Sequence, residues 1–183
     1  VTPARSRGNE LPEKPKLLVI ATGSVEDLLA ATPALRAVKA ARSGADVTVM
    51  VSPESARALV GNPHVDRLLV LSERERRGFF GLMRLASWIR AKAFDAALVF
   101  DPAFPHALAA AMGAVPLRAG LAGGAPRFVL PHRVPRGANA IDDRLEILKL
   151  VGVPPSGSEP EVHVPEGERD RAIEEALRAL GAA

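Results

Sequence analysis

Apolar and polar positions along this chain change over in blocks. Five short runs rich in aliphatic and β-branched residues read as strands: Lys16–Ile20, Asp46–Val51, Arg67–Leu71, Asp95–Phe100 and Leu117–Leu121. Their apolarity is nearly continuous, the pattern of strands buried on both faces. Helical spacing fills Val25–Arg42, Glu54–Val60, Phe79–Lys92, Pro105–Met112 and Ala138–Val151. In the third of these Leu82, Leu85, Ala86 and Ile89 share one face, and in the last Ile141, Leu145, Leu148 and Val151 do. Arg127–Val134 suggests one further short strand. Pro33 lies well inside the first helix and should kink it by removing the bond to the Leu29 carbonyl.

This alternation predicts an α/β fold, a doubly wound Rossmann-like parallel sheet with right-handed crossovers. The domain is expected over residues 15–152. Residues 1–14, rich in Pro, Gly and charge, read as a flexible tail. Residues 153–183 read as a linker and an exit helix, with a Pro/Gly-rich stretch over Gly152–Pro165 and a polar helix over Gly167–Leu180.

Composition narrows the function. The 183 residues suffice for one buried core. No run approaches the ~18 apolar residues that a membrane span needs. With no cysteine, a disulfide framework and a thiolate metal site are excluded. Residues 1–144 carry a net charge of +7 and residues 145–183 a net of −4. A basic body favours an anionic partner such as a phosphorylated glycan, a nucleotide or a membrane surface. Only seven Phe and Trp residues occur, without basic–aromatic interleaving, which argues against nucleic acid.

Motifs prune further. The first strand-to-helix turn, Ala21-Thr-Gly-Ser-Val-Glu-Asp27, lacks both GxGxxG and GxxxxGK[ST]. A dinucleotide or P-loop nucleotide is therefore not expected there. No Gly-x-Ser-x-Gly elbow occurs, and His64, His106, His132 and His163 show no metal-ligand spacing. What the turn does carry is a carboxylate, Asp27, at the carboxyl end of a strand, where ligands gather in open α/β sheets. Ser24-Val-Glu-Asp27 also has the spacing of a capping box, in which Asp27 would reach back to Ser24. Both readings of Asp27, cap and chemical group, stand on the residues alone.

The segment Gly23-Ser-Val-Glu-Asp27-Leu-Leu-Ala-Ala-Thr32-Pro33-Ala-Leu35-Arg36 resembles the N-terminal signature of glycosyltransferase family nine, the heptosyltransferase family. Val51–Ser55, Gly61–Asp66, Phe94-Asp95 and Asn139–Arg144 resemble family segments in the same order. The resemblance implies the N-terminal, acceptor-binding half of a GT-B enzyme, with a nucleotide-sugar domain to follow beyond this chain. It implies an inverting, metal-independent transferase moving a heptose-like sugar to a bacterial cell-surface glycan of lipopolysaccharide-core type. No cofactor is expected, and a nucleotide-sugar such as ADP-heptose would be a substrate held mainly by the other half. Expected partners are a glycolipid or phosphorylated sugar acceptor and that donor domain. The expected location is cytoplasmic, with peripheral contact at the inner membrane.

Asp27 matches the family's catalytic base. Ser24, Arg57, Arg76, Arg77 and Arg118 are the candidate acceptor-binding residues, arginine being suited to clamp phosphate. The loop Glu73–Phe80 would carry two of these arginines, with Phe79 and Phe80 either in the core or against lipid. The chain departs from the family at Ala21, where a basic residue is usual, at Glu26, where Gly is usual, and at Asn139, where His is frequent. Glu26 should repel an anionic acceptor. These departures keep open a second reading, a Rossmann-like binding module that has lost the chemistry, and a third, a stand-alone ADP- or UDP-binding domain.

Overall fold

The apolar runs become strands because each is covered from both sides. The computed structural model describes residues 11–71, 78–101 and 104–163. Among them β1 (Lys16–Ile20), β2 (Asp46–Val51), β3 (Arg67–Val70), β4 (Ala96–Val99), β5 (Leu117–Leu121) and β6 (His132–Val134) form one sheet. Its order is β3-β2-β1-β4-β5-β6, with every pairing parallel. In the centre Leu17 pairs with Val47 and Ala96, and Ile20 with Met50 and Val99.

Alternate side chains serve opposite faces. Leu17 and Val19 join a core with Leu28, Leu35, Val38, Ile147 and Leu148, whereas Leu18 and Ile20 join Leu85, Ile89, Ala107 and Ala110. The first face is covered by α1 (Val25–Leu29), α2 (Thr32–Ala41) and α5 (Ala140–Lys149). The second is covered by α3 (Gly78–Lys92) and α4 (Phe104–Met112). The doubly wound, Rossmann-like expectation is met.

Three local expectations are corrected. The single helix over Val25–Arg42 is two helices, broken at Ala30-Ala31. Pro33 therefore stands in the first turn of α2, where its missing N–H leaves no partner wanting. The Thr32 hydroxyl donates to the Leu29 carbonyl at 2.8 Å, so the break leaves that acceptor satisfied. The helix over Glu54–Val60 shrinks to a 3-10 turn at Ala56–Leu59. The short strand within Arg127–Val134 is confined to His132–Val134.

At the N-terminal side, Leu11 is buried and its N–H donates to the Val151 carbonyl at 3.3 Å, so part of the stretch read as a tail packs on the body. Val153, in the stretch read as a linker, is buried too. The expected helix over Gly167–Leu180 lies outside the described residues. From β1 the chain turns outward to β2, and from β4 to β5 on the other side. The carboxyl ends of β1 and β4 thus meet at the switch point, where such sheets open a crevice.

Candidate active site at the switch point

A carboxylate follows each of the two central strands. Asp27 follows β1 by one tight turn, and Asp101 stands just after β4. Between them lies Arg144 from α5, whose side chain is 2% exposed. Arg144 Nη2 donates to Asp27 Oδ1 at 3.2 Å and lies 3.8 Å from Asp101 Oδ1. Its Nη1 donates to the Ala140 carbonyl at 2.7 Å, and its Cζ lies 6.0 Å from the centroid of the Phe100 ring. A buried guanidinium is tolerated only when paired, and here two acids share it.

Asp27 divides its two oxygens. Oδ2 accepts from the Ser24 N–H at 3.2 Å and from the Ser24 hydroxyl at 3.1 Å, while Ser24 Oγ accepts from the Asp27 N–H at 3.2 Å. The capping box is therefore real. Oδ1 is left to Arg144. Cap and ion pair coexist because a carboxylate has about four acceptor sites, not one.

The two acids sit in opposite environments. Burial raises the Asp27 pKa, but the Ser24 N–H, Arg144 and the Ser24 hydroxyl outweigh it and hold the carboxyl below its ordinary range. Its side chain is still 38% exposed. Asp101 is pushed upward by burial, which outweighs the Gly23 N–H and Arg144, and the charge on Asp27 pushes the same way. The Gly23 N–H donates to Asp101 Oδ2 at 2.8 Å. Paired acids with divergent pKa values are a common signature of chemistry.

Gly23 is required by this packing. A Cβ there would fall 2.8 Å from Asp27 Oδ2 and 3.1 Å from Asp101 Oδ1. Across the crevice, Asp143 Oδ1 accepts from the Gly137 N–H at 2.8 Å and pins the 136–138 stretch over the strand ends. The resulting cleft, about 310 Å³, is lined by Gly23, Asp27, Phe100, Asp101, Arg136 and Arg144 among others. A larger depression of about 500 Å³, at Leu11, Lys14 and Arg42, lies away from the switch point. Size alone does not choose the site; converging charge does.

The other sequence candidates separate. Ser24 is at the site. Arg118 is not among the cleft residues: its Nε donates to the Val129 carbonyl at 2.7 Å, and its Nη atoms to the Val115 and Phe128 carbonyls. That guanidinium braces a turn through three backbone carbonyls. Arg57 is exposed on the 3-10 turn and also stands outside the cleft lining. Arg76 and Arg77 lie outside the described residues. Phe79 and Phe80 are 67% and 83% exposed, so the core reading of them is excluded.

Glu26 is exposed and absent from the cleft lining, beside Ser24 and Asp27 in the first turn of α1. Asn139 caps α5, its Oδ1 accepting from the Ile141 N–H at 2.9 Å. Three residues were missed by sequence reasoning: Asp101, Arg144 and Arg136. The signal for the first was available, an aspartate closing the fourth strand beside the first.

No protein-family model matches the chain, and no curated protein matches it in sequence. Solved structures do. A family 9 glycosyl transferase from Veillonella parvula superposes with a TM-score of 0.80 at 21% identity, over 96% of this chain and 52% of that one. The Escherichia coli ADP-heptose lipopolysaccharide heptosyltransferase II gives a TM-score of 0.66 at 21% identity, over 87% and 50%. The E. coli heptosyltransferase WaaC with ADP gives 0.63 at 18%, over 80% and 50%. The chain spans about half the length of each, and at these identities the shared property is the fold.

Proposed function

We propose that this chain is the acceptor-binding half of an inverting, metal-independent GT-B glycosyltransferase. It would move a heptose-like sugar from a nucleotide-sugar to a phosphorylated, lipopolysaccharide-core-type acceptor. The observation that carries this reading is the Asp27–Arg144–Asp101 cluster at the mouth of the switch-point cleft. The half-length match to glycosyltransferase structures supports it.

In the proposed step, the acceptor hydroxyl oxygen attacks the anomeric carbon as the bond to the nucleotide diphosphate breaks and the diphosphate leaves with its electron pair. The hydroxyl proton passes to Asp27, which its partners hold ionised and which remains partly open to the cleft. A depressed pKa makes Asp27 a weak base, so the transfer should come late, once the attacking oxygen has become acidic. Asp101 and Arg144 act through Asp27 by fixing its orientation. Arg136, exposed at the cleft wall, is the cation placed to meet an acceptor phosphate.

No helix among the described residues is long and apolar enough to cross a membrane. Exposed Phe79 and Phe80 suit peripheral contact with the cytoplasmic face of the inner membrane, where a glycolipid acceptor would lie.

A second reading, a binding module without chemistry, is favoured by one fact: both Asp27 oxygens already accept hydrogen bonds. Two measurements separate the readings. Calorimetry of this chain with a phosphorylated core sugar should give heat, and with ADP-heptose none; no binding of either sugar supports the module. Joined to a donor half, Asp27→Asn should lower kcat by about 10²–10⁴. An unchanged rate would remove Asp27 from the base role.

A further inference from the structure

The histidines look unrelated in sequence, yet two of them converge on one carboxylate. His64 precedes β3, and His163 ends the described part of the 153–163 segment. His64 Nε2 and His163 Nε2 each lie 3.3 Å from Glu161 Oε2. All three potential ligand atoms lie within 4.8 Å of one another, and all three residues are half-buried.

We infer that His64, Glu161 and His163 form a transition-metal site, best suited to Zn²⁺, which clips the 153–163 segment to the body of the domain. The donor set is two imidazoles and one carboxylate, which suits zinc and leaves a fourth position for water. Ligands at zinc bond lengths in a tetrahedron stand about 3.3–3.4 Å apart. Both imidazole-to-carboxylate distances already have that value.

The carboxylate is pre-positioned. The Glu161 N–H donates to Thr32 Oγ1 at 2.8 Å, and Arg36 holds Oε1 in an ion pair. Oε2 is thereby turned to the two imidazoles. Such outer contacts orient ligands in metal sites. In an extended segment, residues two apart share a side. Glu161 and His163 do so, while Val162 between them is 64% exposed. His64 is held from its own loop, its N–H donating to Asn62 Oδ1 at 2.9 Å.

The site is separate from the proposed transfer chemistry. His64 stands at the entry to β3, whereas the cleft opens at the carboxyl ends of β1 and β4. Its role is to fix where the chain leaves the domain. It does not depend on the proposed function.

The test is calorimetry of the tag-free chain with ZnCl₂, paired with visible absorption of the Co²⁺ form. Expected are saturable binding of about one Zn²⁺ per chain and d–d bands of a low-coordinate His/carboxylate site. Losing an outer partner typically costs 10–100-fold in affinity, so His64→Ala, Glu161→Gln and His163→Ala should each weaken binding by at least about 100-fold. His132→Ala should not. Circular dichroism checks folding, and Glu161→Gln keeps the shape of its side chain if a histidine variant misfolds. Absence of saturable binding overturns the inference, as does parental affinity in Glu161→Gln or in a folded His64→Ala/His163→Ala double variant.

Discussion

The two central strands are each followed by an aspartate, and the two are held in different ways. After β1, Asp27 is partly exposed, held ionised and tied to its own helix start. After β4, Asp101 is buried, raised in pKa and tied across the sheet to Gly23. Both line the cleft, but the Asp27 side chain is 38% exposed and that of Asp101 11%. Arg144 reaches both, so one buried guanidinium links the two carboxylates. A carboxylate at a switch point is therefore not by itself an active group; its solvent access and its partners assign the role.

The strongest way to break that contrast is to remove the shared cation. Arg144→Ala leaves Asp101 buried beside no countercharge and should destabilise the fold by about 3 kcal/mol, read from urea unfolding. Asp101→Asn in the same background should recover part of that loss, because the orphaned charge is then gone. Independent, additive effects would show that the two acids do not share Arg144.

Gly23→Ala attacks the contrast sterically. The new methyl group meets Asp27 Oδ2, which the cap holds in place, so the acid or the turn must shift. A cost of about 2 kcal/mol is expected. Crystallography of the variant should find Asp27 displaced from Arg144. An undisplaced Asp27 with parental stability would mean the approach is looser than it looks. Ser24→Ala removes only the cap hydroxyl and should cost about 1 kcal/mol.

Why the contacts of one of these acids were legible and those of the other were not follows from where their partners are. Ser24 and Asp27 are three residues apart, so spacing alone exposes the capping box. Asp101 takes its contacts from Gly23 and Arg144, and no local pattern links such distant residues. The carbonyls of Phe128 and Val129 that hold Arg118 were hidden for the same reason. Glu161 finds Arg36, Thr32 and His64 across the fold, so the His–Glu–His group left no trace in ligand spacing. The strands were legible because burial on both faces is written into each run separately. The break at Ala30-Ala31 was legible only as a disturbance at Pro33, because Pro inside a helix and Pro in the first turn of a new one look alike in an Ala-rich stretch.

The smallest expected effect separates the acids most cleanly, through pH. Asp27 has a lower pKa in the folded chain than its unfolded value of about 3.9, so the folded state binds fewer protons in between. Its stabilisation is complete above the unfolded value and lost as pH falls through the folded one. Asp101 runs oppositely: its folded pKa is raised. Its favourable contribution is complete below the unfolded value and lost as pH rises through the folded one. The stability gap between the parent and Asp27→Asn should therefore close on acidification. Asp101→Asn should instead match the parent where Asp101 is protonated and become the more stable chain as pH rises through the Asp101 pKa. Urea midpoints at a series of pH values measure both. If the two gaps moved in the same direction, the acids would share one environment and the division of labour drawn from their exposure would not hold.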